Sequence, residues 1–204
     1  MYPIFMQKTY DFLKTYLSKY INLSDEDFNS IVALAEVRNF EKKQKLISTG
    51  EIEDHLNLVV KGLARKYFLK GREEKVTYIA KENHLINSVG SFLSDSPSIY
   101  FVEAIEPTTV ISITKKNLEK LYDTSHTIER LGRIILTTLY TQKEKQEYDQ
   151  IRLTVRERFI QFMKNNSDLL QRVPQKYLAS YLNIKPETFS RMKHLMKKKR
   201  PNDE

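Results

Sequence analysis

Residues 173–199 read VPQKYLASYLNIKPETFSRMKHLMKKK, and their spacing predicts two short helices joined by a tight turn. Pro174 suits a first helical position, where its missing N–H costs nothing. Leu178, Ala179 and Leu182 then share one helical face. Asn183 follows Ala179 by four residues; after glycine, asparagine is the side chain that best tolerates the left-handed conformation of a sharp turn. Pro186 opens the second helix, with Phe189 and Met192 spaced to pack back on the first. A small residue at the crossing, a turn residue and two apolar residues at these offsets form a helix-turn-helix pattern.

The face left over on the second helix carries Lys185, Glu187, Thr188, Ser190, Arg191, Lys193, His194 and Lys197. Arg can fork onto a guanine edge and Glu can accept from cytosine; Lys, Thr and Ser suit phosphate oxygens. These eight are the candidate DNA-contacting residues. The structural alternative is a helical hairpin with a solvated charged face. Charge favours the first reading. The 204-residue chain carries +8 overall, with 21 Lys+Arg against 21 Asp+Glu in residues 1–150 and 13 against 5 in residues 151–204. A neutral body with a basic end suggests a polyanionic partner for that end.

Upstream, Thr154-Val155-Arg156-Glu157 is a capping-box pattern that starts a helix with Val155, Phe159, Phe162 and Met163 on one face. Before it, residues 124–152 read as one long helix. Its Ile128, Leu131 and Ile135 keep a spacing that suits either a dimer seam or packing on the chain's own body. Thr114 caps a shorter helix over residues 115–122. From about Val37 to Thr114 the pattern turns to short apolar runs broken by turn residues: 46–47, 55–60, 63–69, 75–80, 99–105 and 109–113. Many short strands at close spacing predict an antiparallel roll and not parallel βαβ units. A helical turn is expected over residues 90–93. The N-terminal stretch reads as two helices, the second capped by Ser24 with Asp25, Glu26 and Asp27 in its first turn. The expected class is therefore α+β, in three parts: residues 1–123 (N-terminal helices and β-roll), 124–152 (long helix) and 153–204 (all-α helix-turn-helix domain).

Composition removes several classes. No cysteine is present, which excludes disulfides, thiolate metal sites and cysteine nucleophiles. His55, His84, His126 and His194 are scattered, and no Gly-rich phosphate loop or nucleophile elbow occurs. No catalytic residue, metal site or enzymatic activity is expected. The absence of an apolar run near the roughly 20 residues of a membrane span, and of a signal-peptide core, leads to a cytoplasmic expectation.

This order of elements resembles the Crp/Fnr family of bacterial transcription regulators over nearly the whole chain. Leu46-Ile47-Ser48-Thr49-Gly50-Glu51 followed by Leu56-Asn57-Leu58-Val59-Val60-Lys61-Gly62 is similar to the family's strand–Gly-Glu–strand–Gly signature. Ile184-Lys185-Pro186-Glu187-Thr188-Phe189-Ser190-Arg191 is similar to its recognition-helix start. The resemblance implies a cyclic-nucleotide-binding-type sensor roll, a dimerising long helix, double-stranded DNA as partner, a second copy of the chain, and RNA polymerase as a further partner. Two departures stand out. In the segment Asn87–Tyr100, Ser88 takes the position of the family's ribose-binding Glu and Ser98 that of its phosphate-binding Arg, with Gly90 between them; no Arg lies between Arg72 and Arg130. Ser88, Gly90 and Ser98 are thus the candidate pocket residues, but no cofactor is expected and cyclic AMP is disfavoured in the usual pose, because a buried phosphate needs a paired cation. Arg65 or Lys75 from neighbouring strands could replace the missing cation if either points inward. The residues after the second helix, Lys197 to Glu204, are too few for the family's two-stranded wing. The competing function is a small-ligand sensor or interaction module without sequence-specific DNA binding.

Overall fold

Two four-stranded antiparallel sheets face each other, and every strand that builds them comes from residues 36–114. The structure, a computed structural model, describes residues 4–198. The chain runs α1 (Ile4–Leu17), α2 (Asp25–Leu34), β1 (Glu36–Phe40), β2 (Lys45–Ile47), β3 (His55–Lys61), β4 (Ala64–Lys70), β5 (Glu73–Ala80), β6 (Leu85–Ile86), α3 (Val89–Ser94), β7 (Phe101–Ala104) and β8 (Thr108–Thr114). It continues through α4 (Lys115–Thr124), α5 (His126–Arg152), α6 (Val155–Asn165), α7 (Leu169–Arg172), α8 (Gln175–Tyr181) and α9 (Pro186–Lys198). One sheet has the order β1-β8-β3-β6, the other β2-β7-β4-β5.

The strands form where alternation and turn residues coincide. Gly62 shows why one turn needs its glycine. Its φ is +99°, and a Cβ there would come within 2.5 Å of the Pro107 carbonyl, so both conformation and space select against any side chain. Between the sheets Phe40, Ile47, Val59, Ala64, Val102, Ala104 and Val110 make one core. Burying each valine there stabilises the roll by about 1.5–3 kcal/mol. One polar pair is admitted because it is satisfied: Asn57 and Ser112 stand opposite each other on β3 and β8, and Ser112 Oγ donates to Asn57 Oδ1 at 2.7 Å.

A second core joins the helices to the outer face of the β1-β8-β3-β6 sheet. Tyr10, Leu13, Tyr16 and Leu17 of α1, Ile31 and Val32 of α2, and Leu121 of α4 meet Leu58 and Ile111 there. Ile128 and Leu131 of α5 are buried in the same cluster, 2% and 3% exposed. This corrects the dimer-seam alternative for those two residues: the early part of α5 packs on its own roll. The face of α5 left to solvent carries Leu136 and Tyr140, 51% and 69% exposed.

Caps fall where their chemistry predicts. Ser24 Oγ accepts from Asp27 N–H at 3.0 Å, and Thr114 Oγ1 from Asn117 N–H at 3.2 Å. Thr154 and Glu157 form the reciprocal box, Glu157 N–H to Thr154 Oγ1 at 3.3 Å and Thr154 N–H to the Glu157 carboxylate at 2.8 Å. Pro174 is one place earlier than expected: at φ −53° and ψ 133° it is the cap itself, and α8 begins at Gln175.

The chain divides into two compact units. One comprises Met1–Phe68 and Tyr78–Tyr140; the other comprises Leu69–Thr77 and Thr141–Glu204. Within the second, Ser180 Oγ of α8 accepts from Val76 N–H at 2.9 Å and donates to the Glu74 carbonyl at 3.1 Å.

Candidate functional site

Two places in the molecule could meet a partner, one in each unit. In the first, the cassette between β6 and β7 folds back on the segment before β3. Gly50 N–H donates to the Ser98 carbonyl at 2.8 Å and Ser98 N–H to the Glu51 carbonyl at 2.7 Å, with Ile52 bridged to Pro97. This pairing brings Ser98 over Ser88. Both are 2% exposed, and their hydroxyls are hydrogen-bonded at 2.8 Å. Ser98 Oγ also stands 2.8 Å from the Tyr100 carbonyl and accepts from Tyr100 N–H at 3.0 Å. Two of the three predicted pocket residues thus come together and satisfy each other. Gly90 does not join them: it is exposed on α3, and a Cβ on it would meet nothing within 4 Å.

Sequence reasoning missed Glu53. It is 3% exposed, and its carboxylate accepts from Ser88 N–H at 3.1 Å and His55 N–H at 3.2 Å. Its own N–H donates to Ser91 Oγ at 2.9 Å. Burial pushes its carboxyl above the ordinary range, more than the two amide donors and the charge of Arg38 draw it down. The sign of the pH effect follows. A raised folded pKa means the folded chain holds this proton when the unfolded chain has lost it. Glu53 therefore subtracts from stability as pH rises from about 4 through its folded pKa, and below that window subtracts nothing. Glu53→Gln should remove that part of the slope. Denaturant titrations from pH 4 to 7 should show the variant gaining on the wild type as pH rises; parallel curves would contradict the assignment.

The two basic candidates, Arg65 on β4 and Lys75 on β5, are both paired with a carboxylate. Arg65 pairs in register with Glu103 and Tyr67 with Phe101, on the face away from the inter-sheet core. Arg65 is 1% exposed and donates to Glu103 Oε1 through Nε and Nη2, at 3.1 and 2.9 Å. It is therefore committed to Glu103, and the expectation that it could face inward is corrected. Lys75 likewise bonds Glu73 at 2.6 Å.

In the second unit, α8 and α9 pack on each other, and Leu178, Ala179 and Phe189 are 0% exposed. Asn183 takes the left-handed conformation, φ +54°, and Ile184 N–H closes the turn on the Ala179 carbonyl at 3.0 Å. Phe189 meets Phe159 of α6 edge-to-face, with ring centroids 5.3 Å apart and planes at 79°. The opposite side of α9 presents Glu187, Arg191 and His194 as an exposed ridge, with Lys185 exposed just before the helix. Thr188 and Ser190 flank the ridge, half-buried. Lys193 is also half-buried, since the helical period turns it toward the Phe189 side. Lys197 lies in α9, but its side chain is outside the described residues. Among the described residues no three His, Asp or Glu come together to hold a metal, and no helix is long and apolar enough to cross a membrane.

Residues 37–125 match the family described as cyclic nucleotide-binding domain. The fold is of the Crp/Fnr type. Solved structures similar to it include FixK2 from Bradyrhizobium japonicum, with TM-score 0.68 and 20% identity over 81% of this chain and 85% of that one. The c-di-GMP-responsive global regulator CLP of Xanthomonas campestris superposes with TM-score 0.67 and 14% identity, covering 86% and 93%. The catabolite activator protein of Thermus thermophilus gives TM-score 0.55 and 16% identity, covering 90% and 87%. No curated protein sequence matches the chain. At these identities the likeness to the Crp/Fnr-type structures is one of fold.

Proposed function

We propose that this chain is a Crp/Fnr-type transcription regulator that reads double-stranded DNA through α9 and senses a signal in its β-roll without holding cyclic AMP in the usual way. The observation that carries the reading is the α8–α9 pair. A left-handed turn at Asn183 and a packed Phe189 leave Glu187, Arg191 and His194 outward on one ridge, in the segment that holds the chain's whole positive excess. A helix so placed fits a major groove, with Arg191 and Glu187 toward base edges and Lys185, Thr188 and Ser190 toward phosphates. The measurement is fluorescence anisotropy with a selected operator. Affinity should fall steeply with salt as counterions are released, and Arg191→Ala should weaken specific binding by about 1–3 kcal/mol. An unchanged affinity for Arg191→Ala would sink the assignment of that residue, and an absence of salt-dependent DNA affinity would remove DNA reading and leave a sensor module.

The chain acts as a homodimer in this reading, with RNA polymerase as a further partner. Support comes from α5, where Leu136 and Tyr140 lie exposed one turn apart, beside a shallow groove lined by Arg130, Arg133, Ile134, Thr137 and Thr138. A two-fold pair would set two α9 helices about one DNA turn, roughly 34 Å, apart. Light scattering at micromolar concentration should give twice the chain mass, and Leu136→Asp with Tyr140→Asp should give the monomer. A monomeric wild type, with and without DNA, contradicts the assembly.

The cassette supports the exclusion of cyclic AMP. Ser88 and Ser98 bond each other where a ribose-binding Glu and a phosphate-binding Arg would stand. The Glu53 carboxylate also occupies the Ser88 amide.

A further inference from the structure

Two successive residues hold α8 from different sides, since each step along a helix turns the side chain by about 100°. Tyr181 meets Phe162 of α6, ring centroids 5.7 Å apart, and its hydroxyl accepts from Gln146 Nε2 of α5 at 3.2 Å. Ser180 reaches back 104 residues along the chain. Its Oγ accepts from Val76 N–H at 2.9 Å and donates to the Glu74 carbonyl at 3.1 Å.

These bonds have the pattern of a strand contact. β5 ends the sheet order β2-β7-β4-β5, so its outer side presents backbone groups to whatever packs there. Residues 74 and 76, two apart, point to the same side. One residue of an added parallel strand would donate to the first and accept from the second. A serine hydroxyl is donor and acceptor in one atom, and Ser180 does both. The contact lies within one compact unit, which comprises Leu69–Thr77 and Thr141–Glu204. It leaves the reading ridge open: Lys185, Glu187, Arg191 and His194 are all exposed.

We infer that Ser180 is a positioning residue for DNA reading, its hydroxyl fixing α8, and through α8 the ridge of α9, on the outer edge of β5. The inference rests on the regulator reading above and adds to it a residue that touches no DNA. The turn between the helices is short, with Ile184 N–H closed on the Ala179 carbonyl at 3.0 Å, so a rotation of α8 carries the ridge with it. Bonds to base edges weaken steeply with misalignment, whereas the attraction of basic side chains to phosphates depends little on sequence or angle. Without the Ser180 bonds the helix pair keeps its affinity for any duplex and loses part of its selectivity.

The test compares the full chain with Ser180→Ala and Ser180→Thr. Alanine is the better helix former, so α8 itself is not weakened, and threonine keeps the hydroxyl. In hydrogen exchange without DNA, Ser180→Ala should speed exchange of the Val76 amide about tenfold relative to the amides of β8. In anisotropy at fixed salt it should weaken operator binding about fivefold, with affinity for an unrelated duplex and the salt slope unchanged. Ser180→Thr should restore both. An unchanged Val76 exchange rate in a folded Ser180→Ala, an unchanged operator affinity, an equal loss on both duplexes, or a threonine variant that behaves as alanine would each overturn the inference. The equal loss is the mark of a merely structural contact. A wild type without salt-dependent DNA affinity sinks the regulator reading and DNA positioning with it; intact wild-type operator binding beside any of the overturning results sinks this inference alone.

Discussion

Glu103→Leu should destabilise the roll by about 3–5 kcal/mol, the range seen when one partner of a buried ion pair is removed. Arg65 is 1% exposed and Glu103 8%. Two guanidinium nitrogens bond Glu103 Oε1, at 3.1 and 2.9 Å, and Tyr67 donates its hydroxyl to Glu103 Oε2 at 3.4 Å. The guanidinium carbon also stands 4.0 Å from the Tyr67 ring centroid. Taking away the carboxylate leaves a guanidinium that can neither reach water nor shed its proton. Such a loss is a large part of the 5–15 kcal/mol that holds a domain folded. The double variant Arg65→Met with Glu103→Leu should recover most of it, because no charge remains buried. Urea unfolding of the three variants checks this. A single-variant cost below about 1 kcal/mol would mean that water reaches the pair.

Phe189→Ala should cost a similar amount, about 3–5 kcal/mol, but in the other unit. Phe189 is 0% exposed and Phe159 1%, with their rings edge-to-face at 5.3 Å. Truncation removes that contact and leaves a cavity between α6 and α9, so α9 loses the surface that fixes its orientation. Operator binding should therefore fall more steeply than for Arg191→Ala, while the roll's unfolding transition stays in place. The check is thermal unfolding by circular dichroism beside anisotropy. A variant with wild-type melting and wild-type DNA affinity would show that Phe189 does not set the position of α9.

Some of this was legible in the chain alone because it depends on near neighbours. The turn at Asn183, the caps at Ser24, Thr114 and Thr154, and the break after Arg152 each need residues at most four apart. Local stereochemistry and hydrogen bonding decide such features wherever the segment lies. The short alternating runs likewise announce strands, and the basic excess of residues 151–204 can be counted. What needed the tertiary structure was the choice of face. On β4, alternation separates Arg65 and Tyr67 from Ala64, Lys66 and Phe68, but Arg65, Tyr67 and Ala64 are all buried. With both faces of a strand covered, period two does not say which one is inside. The register of β4 against β7 decided that Lys66 and not Arg65 looks into the roll. Glu53 and Ser88, 35 residues apart, and Ser88 and Ser98 across the cassette, met only through strand pairing. Ile128 and Leu131 were ambiguous for the same reason: an apolar stripe on a helix specifies burial, and the surface that covers it is a property of the fold.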